Sequence, residues 1–577
     1  MGRPTFRLRA GLLLMVFVFS LFAGRLVQIQ GIDAHAYSEL SDKYEGATEV
    51  TLTASRGAVV DRDGAPLAQT VDAELLFADP TRTSAKAPQI AKIIADRIDV
   101  SYLTLVKALR KPGTQYSYLA RRVMPKDADA IMAELEAKDL AGVYTERDPL
   151  RTYPAGDIAS NLVGFVGSDG HGLAGIELAM EQMLKGKDGH ATYVTDAQGT
   201  RIPLADSSVV EPKPGKGVAL TIDEDLQFYA QRRLRQAVDD TGSISGAVVV
   251  MDPRTSQVLA LADYPSFDAN KPGKAPKADR GSRAVQDVYE PGSVQKVLTT
   301  AALIDAGKVT SRTKVSVPGL LRRGPDTIKD WWPHETLHMT LAGVIARSSN
   351  IGTAVAAEQI EPEDLYDYLR AFGLGQRTDL GLAGETKGLL PPPESWQPIS
   401  RDTIAFGQGL SVNAVQMTAA VSAIANGGEY VRPSLVKGYV GAGGEVEPAG
   451  PAKSRRVVSK NAADQVTEMM EMVTADNGTA PSAAIDGYRV AGKTGTAQRV
   501  NPDGGGYEGG GYTLSFAGFA PADDPRVVTY IVLQKPSTSD GGGTAGGPVF
   551  HDITSYALQK YGVPPTGSRS PELPLGY

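Results

Sequence analysis

The spacing of apolar and polar positions changes character along the chain. Between Ala10 and Gly24 it does not alternate at all. Fifteen uncharged, mostly apolar residues run together there, with Arg3, Arg7 and Arg9 before them and Arg25 after. Such a run is a membrane segment whose positive flank stays in the cytoplasm. It falls short of the ~20 residues that cross a bilayer, but Leu26, Val27 and Ile29 extend the apolar face and Arg25 can snorkel. The nearest small-x-small cleavage site, Ala34-His35-Ala36, lies well past the run. The pattern therefore predicts an uncleaved anchor over 10–30 behind a cytoplasmic tail of 1–9, with the remainder outside the cytoplasm.

From about Thr51 to Val210 short strand-like runs alternate with turns, and one segment, Pro125 to Lys138, has helical spacing. Few residues here suit chemistry. Two clusters stand out, Arg56-Gly57-Ala58-Val59-Val60-Asp61-Arg62-Asp63-Gly64 and Gly172-Leu173-Ala174-Gly175-Ile176-Glu177. Each combines turn glycines with a charged residue able to bridge neighbouring segments, a structural rather than catalytic combination. A linker-like stretch, Glu211 to Gly217, closes this region. Beyond it, Asp223 to Val238 reads as an amphipathic helix, followed by strands over 246–252 and 258–262.

The densest chemistry begins at Glu290-Pro291-Gly292-Ser293-Val294-Gln295-Lys296. Val294, Val297, Leu298 and Ala301 share a helical face, so a helix runs from here to about Gly307. Ser293 falls in its first turn, where free backbone N–H groups can stabilise a developing anion. Lys296, one turn on, shares its face. In apolar surroundings a lysine loses basicity and becomes able to take the serine's proton. Alone, Ser-x-x-Lys is more readily a capping serine beside a surface lysine. Two later motifs change that balance. Thr340 caps a helix, Leu341 to Arg347, that ends in Ser348-Ser349-Asn350 and leaves a hydroxyl and an amide together for proton relay and substrate contact. The segment from Tyr488 through Lys493-Thr494-Gly495-Thr496 reads as a strand, with further strands over 513–520 and 527–533. Gly495 lets a ligand lie close to that strand. A peptide could add along its edge, with Lys493 and Thr494 holding its carboxylate.

Composition narrows the chemistry further. The 577 residues carry 66 acidic and 59 basic side chains, with no basic block, which argues against nucleic acid as a partner. Cysteine is absent, removing disulfides, thiolate nucleophiles and cysteine zinc sites. The 63 glycines and 37 prolines, set among recurring aliphatic runs, mean many turns rather than disorder.

Ser-x-x-Lys, Ser-x-Asn and Lys-Thr-Gly, in that order, form the set shared by penicillin-binding proteins and serine β-lactamases. The chain resembles a class B penicillin-binding protein from the anchor nearly to its C-terminus. The Arg56 and Gly172 clusters, with Tyr153-Pro154-Ala155-Gly156 and Leu162-Val163-Gly164-Phe165, resemble that family's non-catalytic pedestal. Gly407-Gln408-Gly409-Leu410-Ser411-Val412 resembles its catalytic-domain signature. Arg283-Ala284 and Asp287-Val288-Tyr289-Glu290 are similar to the division-specific, FtsI-type branch.

The resemblance implies an α+β protein: a transmembrane helix, an extended α/β pedestal over 31–210, a transpeptidase domain over 211–563 with a central antiparallel sheet flanked by helices, and a disordered tail over 564–577. It implies peptidoglycan cross-linking in the septal wall, without cofactor or metal. Ser293 would attack the D-Ala-D-Ala carbonyl of a stem peptide, with Lys296 as base. Ser348 and Asn350 would shuttle the proton and orient the donor, Lys493 and Thr494 would bind its carboxylate, and the N–H groups of Ser293 and Thr496 would form the oxyanion hole. β-Lactams would acylate Ser293. Implied partners are the plasma membrane, an FtsW-type glycosyltransferase and other division proteins. An elongation-specific transpeptidase, or a β-lactam-sensing scaffold without turnover, would carry the same motifs.

Two motifs compete. His334-Glu335-Thr336-Leu337-His338 has a zinc-protease spacing, but Pro333 precedes it and the next helix starts only at Thr340, so the histidines should not share a helical face. Residues 487–494 satisfy the P-loop pattern, yet their interior, Tyr488-Arg489-Val490, is strand-like where a phosphate loop is required.

Overall fold

The structure is a computed structural model, and it describes residues 4–28, 46–195, 208–441, 443–501, 504, 506–507 and 509–577. Helix α1, Pro4–Val27, contains a 20-residue stretch, Leu8–Val27, long and apolar enough to cross a membrane. Ala34-His35-Ala36 lies outside the described residues.

Packing groups the chain into two compact units that do not follow a single cut along the sequence. One comprises Met1–Ser55, Asp72–Pro149 and Gly186–Pro214; the other comprises Arg56–Val71, Leu150–Lys185 and Gly215–Tyr577. The first holds an antiparallel three-stranded sheet, with Glu74–Ala78 between Ser117–Val123 and Val143–Arg147. Helices Ala87–Ala95 and Pro125–Ala137 bury Ile90, Ile94, Ile131 and Leu135 in its own core. A second sheet pairs Gly46–Leu52 with Gly189–Thr195 and the latter with Ser208–Val210.

In the second unit the two pedestal clusters meet. Arg56 donates to the Glu177 carboxylate at 2.6 Å and to its carbonyl at 2.7 Å, and Arg151 reaches the other carboxylate oxygen at 2.7 Å. Glu177 is fully buried. A buried carboxylate is tolerated only when paired, so one glutamate clamps segments that are distant in sequence. Asp61 closes its own turn by accepting from the N–H groups of Asp63 and Ala65, both at 2.8 Å.

The same unit contains a five-stranded antiparallel sheet. Helix α2, Glu224–Thr241, is N-capped by Asp223, whose carboxylate accepts from Leu226 N, and it leads into β1, Ser245–Met251, and β2, Val258–Tyr264. Helix α3, Gln295–Asp305, follows a 3₁₀ turn, Gly292–Val294. Next come α4, Leu341–Arg347, α5, Asn350–Ala357, α6, Ala414–Ala425, and α7, Lys460–Thr474. Strands β3, Ala491–Gln498, β4, Tyr512–Ala520, and β5, Val527–Gln534, precede the last helix, α8, Gly542–Lys560. The strand order is β2-β1-β5-β4-β3, which leaves β3 at an edge. Helices α2 and α8 pack with each other and against this sheet; α6 and α7 also pack against it and against α3. Every residue of β1 and β5 is buried, which explains their unbroken apolar runs.

Two expectations need correction. The strand read from Tyr488 begins only at Ala491, after a turn in which Tyr488 N bonds to Ile485 O. The tail from Pro564 is ordered: Thr340 N donates to Leu575 O at 3.2 Å, the Thr340 hydroxyl donates to Pro574 O, and Tyr577 stacks edge-on with His338. Its hold on the start of α4 runs through backbone carbonyls, which leave no trace in side-chain composition.

Candidate active site

Ser293 sits in the 3₁₀ turn ahead of α3, half-buried, and its hydroxyl makes no hydrogen bond among the described residues. The turn is fixed from behind by Gly292 N, which donates to Gly407 O at 2.9 Å. Gly407 must be glycine, because a Cβ there would stand 1.9 Å from Gly292 O. Gly495 brings edge strand β3 against the turn: a Cβ on it would meet Ser515 Oγ at 2.2 Å and Pro291 O at 3.1 Å. Thr496 is thereby placed beside the Ser293 turn, and its hydroxyl accepts from Gly542 N at 3.2 Å, at the start of α8.

Lys296 is fully buried one turn after Ser293. Its amine donates to Ser348 O at 2.6 Å and to Asn350 Oδ1 at 2.8 Å, with Ser348 Oγ at 3.4 Å. A neutral amine has two hydrogens and one lone pair; both hydrogens are engaged, so the lone pair remains to accept a proton. Burial pushes Lys296 down to about 7, although the carboxylate of Asp330 works in the opposite direction. Lys493, also fully buried, donates to Ser348 Oγ at 2.9 Å and lies 3.1 Å from Thr494 O and 3.3 Å from Thr494 Oγ1. Burial and the charge of Lys296 hold it well below the usual lysine range.

Ser348 is the hinge of this arrangement. It ends α4 in the left-handed conformation, φ +59°, where glycine is the usual residue. A strained serine there keeps a hydroxyl between the two amines, the kind of backbone cost found at functional sites. Ser349 N-caps α5 by accepting from Gly352 N at 2.8 Å, and Asn350 opens that helix while its Nδ2 donates to Lys329 O at 3.1 Å.

The structure thus brings Lys296, Ser348, Asn350, Lys493 and Thr494 into one hydrogen-bonded cluster beside Ser293, Gly495 and Thr496. Asp330 was not anticipated. Its carboxylate accepts from the Ser349 hydroxyl at 2.6 Å and from the N–H groups of Asn350 and Ile351, the latter at 3.1 Å, and His334 Nε2 lies 3.1 Å away. His334 and His338 share no helix: Leu337–Thr340 is a strand. The P-loop motif likewise ends inside β3 rather than in a loop before a helix.

Replacing Asp330 with Asn should lower stability by ~1–3 kcal/mol in denaturant titration, because one of the two carboxylate oxygens that accept from Ser349 and from the N–H groups at the start of α5 becomes a donor. It should also move the pH dependence of acylation to lower pH, since the charge that supports protonation of Lys296 is gone. An unchanged profile would separate Asp330 from Lys296.

Residues 246–555 match the penicillin-binding protein transpeptidase domain and residues 51–220 the penicillin-binding protein dimerisation domain. The chain belongs to the class B penicillin-binding proteins. It is 36% identical to penicillin-binding protein PbpB of Mycolicibacterium smegmatis over 99% of this chain and 92% of that protein. It is 32% identical to peptidoglycan D,D-transpeptidase FtsI of Escherichia coli, over 97% and 92%. The crystal structure of penicillin-binding protein 3 from Mycobacterium tuberculosis, complexed with aztreonam, superposes with a TM-score of 0.71 at 32% identity, covering 92% of this chain and 100% of that one.

Proposed function

We infer that the protein is a serine D,D-transpeptidase that cross-links peptidoglycan stem peptides in the septal wall and is acylated by β-lactams. The observation that carries this reading is a fully buried lysine, its two donors engaged, one helical turn from a serine at the open edge of a sheet. Ser293 Oγ attacks the penultimate D-Ala carbonyl while Lys296 takes its proton. The oxyanion forms at the N–H groups of Ser293 and Thr496, each donor of this kind being worth ~10²–10³ in rate. Ser348, between the two amines, passes the proton to the departing D-Ala, whose carboxylate Lys493 and Thr494 have held. Asn350 orients the donor, and Gly495 lets it lie flat along β3. An acceptor amine then attacks the ester, and the same relay runs in reverse. The resemblance to FtsI and PbpB supports the septal assignment. Arg3, Arg7 and Arg9, ahead of the apolar run, support a cytoplasmic N-terminus and a catalytic unit outside. An FtsW-type glycosyltransferase and division proteins are the partners this assignment entails.

Full-length protein in detergent, given a stem pentapeptide ending in D-Ala-D-Ala and an acceptor strand, should release D-Ala and form a cross-linked product, read by mass spectrometry. Penicillin labelling without any D-Ala release would favour a sensing protein instead.

A further inference from the structure

The chain beyond α8 is tied first to the approach to β3, the strand of Lys493, and then to the start of α4, the helix that ends at Ser348. Just ahead of β3, the Tyr488 hydroxyl donates to Val563 O at 2.5 Å and Arg489 donates to Ser568 Oγ at 3.2 Å. Thr566 and Ser568 in turn donate to the Asp523 carboxylate. Farther on, the segment lies along the strand Leu337–Thr340, where Met339 pairs with Val315 on one edge and with Gly576 on the other. Tyr577 N donates to His338 O at 3.2 Å, and Lys314 Nζ stands 4.8 Å over the centre of the Tyr577 ring.

At the cap of α4 this segment meets the helix itself. The Thr340 hydroxyl accepts from Gly343 N at 3.1 Å and donates to Pro574 O, so its one proton is held by the segment while a lone pair faces the helix. Thr340 N donates to Leu575 O at 3.2 Å. Gly343 makes room for that carbonyl: a Cβ on it would stand 1.9 Å from Leu575 O. Alanine is the better helix former, so glycine here gives up helix propensity for close contact. The contact has leverage. At ~1.5 Å per residue Ser348 stands about 12 Å from Thr340, and a tilt of about 5° at the cap carries its hydroxyl about 1 Å. That hydroxyl lies 2.9 Å from Lys493 Nζ and 3.4 Å from Lys296 Nζ, so such a shift breaks one contact or the other.

We propose that residues 573–577 are a positioning strap: bound along Leu337–Thr340, they set the start of α4 and so hold the Ser348 hydroxyl between Lys296 and Lys493. Thr340, Gly343 and Leu575 are its positioning residues. The proposal rests on the transpeptidase reading for the role of Ser348, which hands the proton to the departing D-Ala or, in penicillin, to the β-lactam nitrogen.

The test uses full-length protein in detergent, Gly343→Ala, a chain lacking residues 573–577, and the two changes combined. Saturating fluorescent penicillin counts the folded sites in each sample, and acylation rates are taken per site. Gly343→Ala favours the helix but evicts Leu575 O, whereas the deletion removes the strap without altering α4. Each should slow the limiting rate of acylation per site by about tenfold or more, toward the ~10²-fold that a 1 Å misplacement costs. The half-saturating penicillin concentration should stay within about twofold, because Lys493 and Thr494 lie on β3. The combined change should be no slower than the slower single one, since both remove the same contact. A limiting rate per site that is unchanged in both single variants, or losses that multiply in the combination, overturns the proposal. Fewer sites at an unaltered rate per site also overturns it, because a merely stabilising segment would give that result. If Gly343→Ala yields no sites, the deletion alone decides by its rate; if neither yields sites, the segment is a folding element and the proposal falls. Intact acylation without D-Ala release by the unaltered protein overturns the transpeptidase reading instead, and the acylation rates still decide the strap.

Discussion

Full-length protein carrying Ser293→Ala will take up no fluorescent penicillin and release no D-Ala, a loss of at least about 10⁴-fold, because removal of the nucleophile leaves the rest of the site without a bond to form. The variant should fold normally. The hydroxyl makes no hydrogen bond among the described residues, so its loss leaves no buried group unpaired, and the change in stability should stay within about 0.5 kcal/mol. Unfolding should therefore be superimposable while gel fluorescence disappears. Labelling at an undiminished rate would move the nucleophile elsewhere, and Ser348, whose hydroxyl lies between Lys296 and Lys493, would be the first residue to examine.

Lys296→Met should slow penicillin acylation by about 10³-fold, within the range that a positioned base contributes. The unaltered protein provides the sharper reading. Lys296 is lowered to about 7, so its protonated, inactive form predominates below that pH and its neutral form above it. Acylation should climb about tenfold per pH unit from pH 5 toward 7 and then level off. Burial depresses this inflection and the carboxylate of Asp330 opposes it, supporting the charge on Lys296. The residual acylation of Lys296→Met should lose the inflection. An inflection that persists in the variant would assign the titration to another group. The fold should survive, because methionine fills the same space without a charge to desolvate, although Ser348 O and Asn350 Oδ1 each lose a donor.

The residues that the structure assembles at the site were legible because each motif is a local geometric instruction. A serine and a lysine one turn apart share a face on any helix. A threonine cap fixes where α4 starts, and an apolar strand interrupted by glycine marks a close approach. Asp330 was not legible for the opposite reason. It reaches the start of α5 from a loop, and nothing in Asp330-Trp331-Trp332-Pro333 indicates what it will cap. The assignment of Arg56–Val71 and Leu150–Lys185 to the catalytic unit was hidden in the same way, since Arg56, Arg151 and Glu177 advertise a bridge but not its partner. The C-terminal residues were misread because their hold on the cap of α4 runs through carbonyls of Pro574 and Leu575, which any sequence would possess.

On the proposed assignment of Lys493 to the donor carboxylate, the single hydroxyl of Ser348, set between two buried amines, couples substrate capture to proton uptake. A charge on Lys296 disfavours a second charge on Lys493. An anionic donor arriving at Lys493 makes the second proton favourable to hold, and the empty and loaded sites therefore differ in protonation as well as in contents. Donor affinity becomes pH-dependent even where the donor itself does not titrate, and each binding event draws a fraction of a proton from the surrounding buffer.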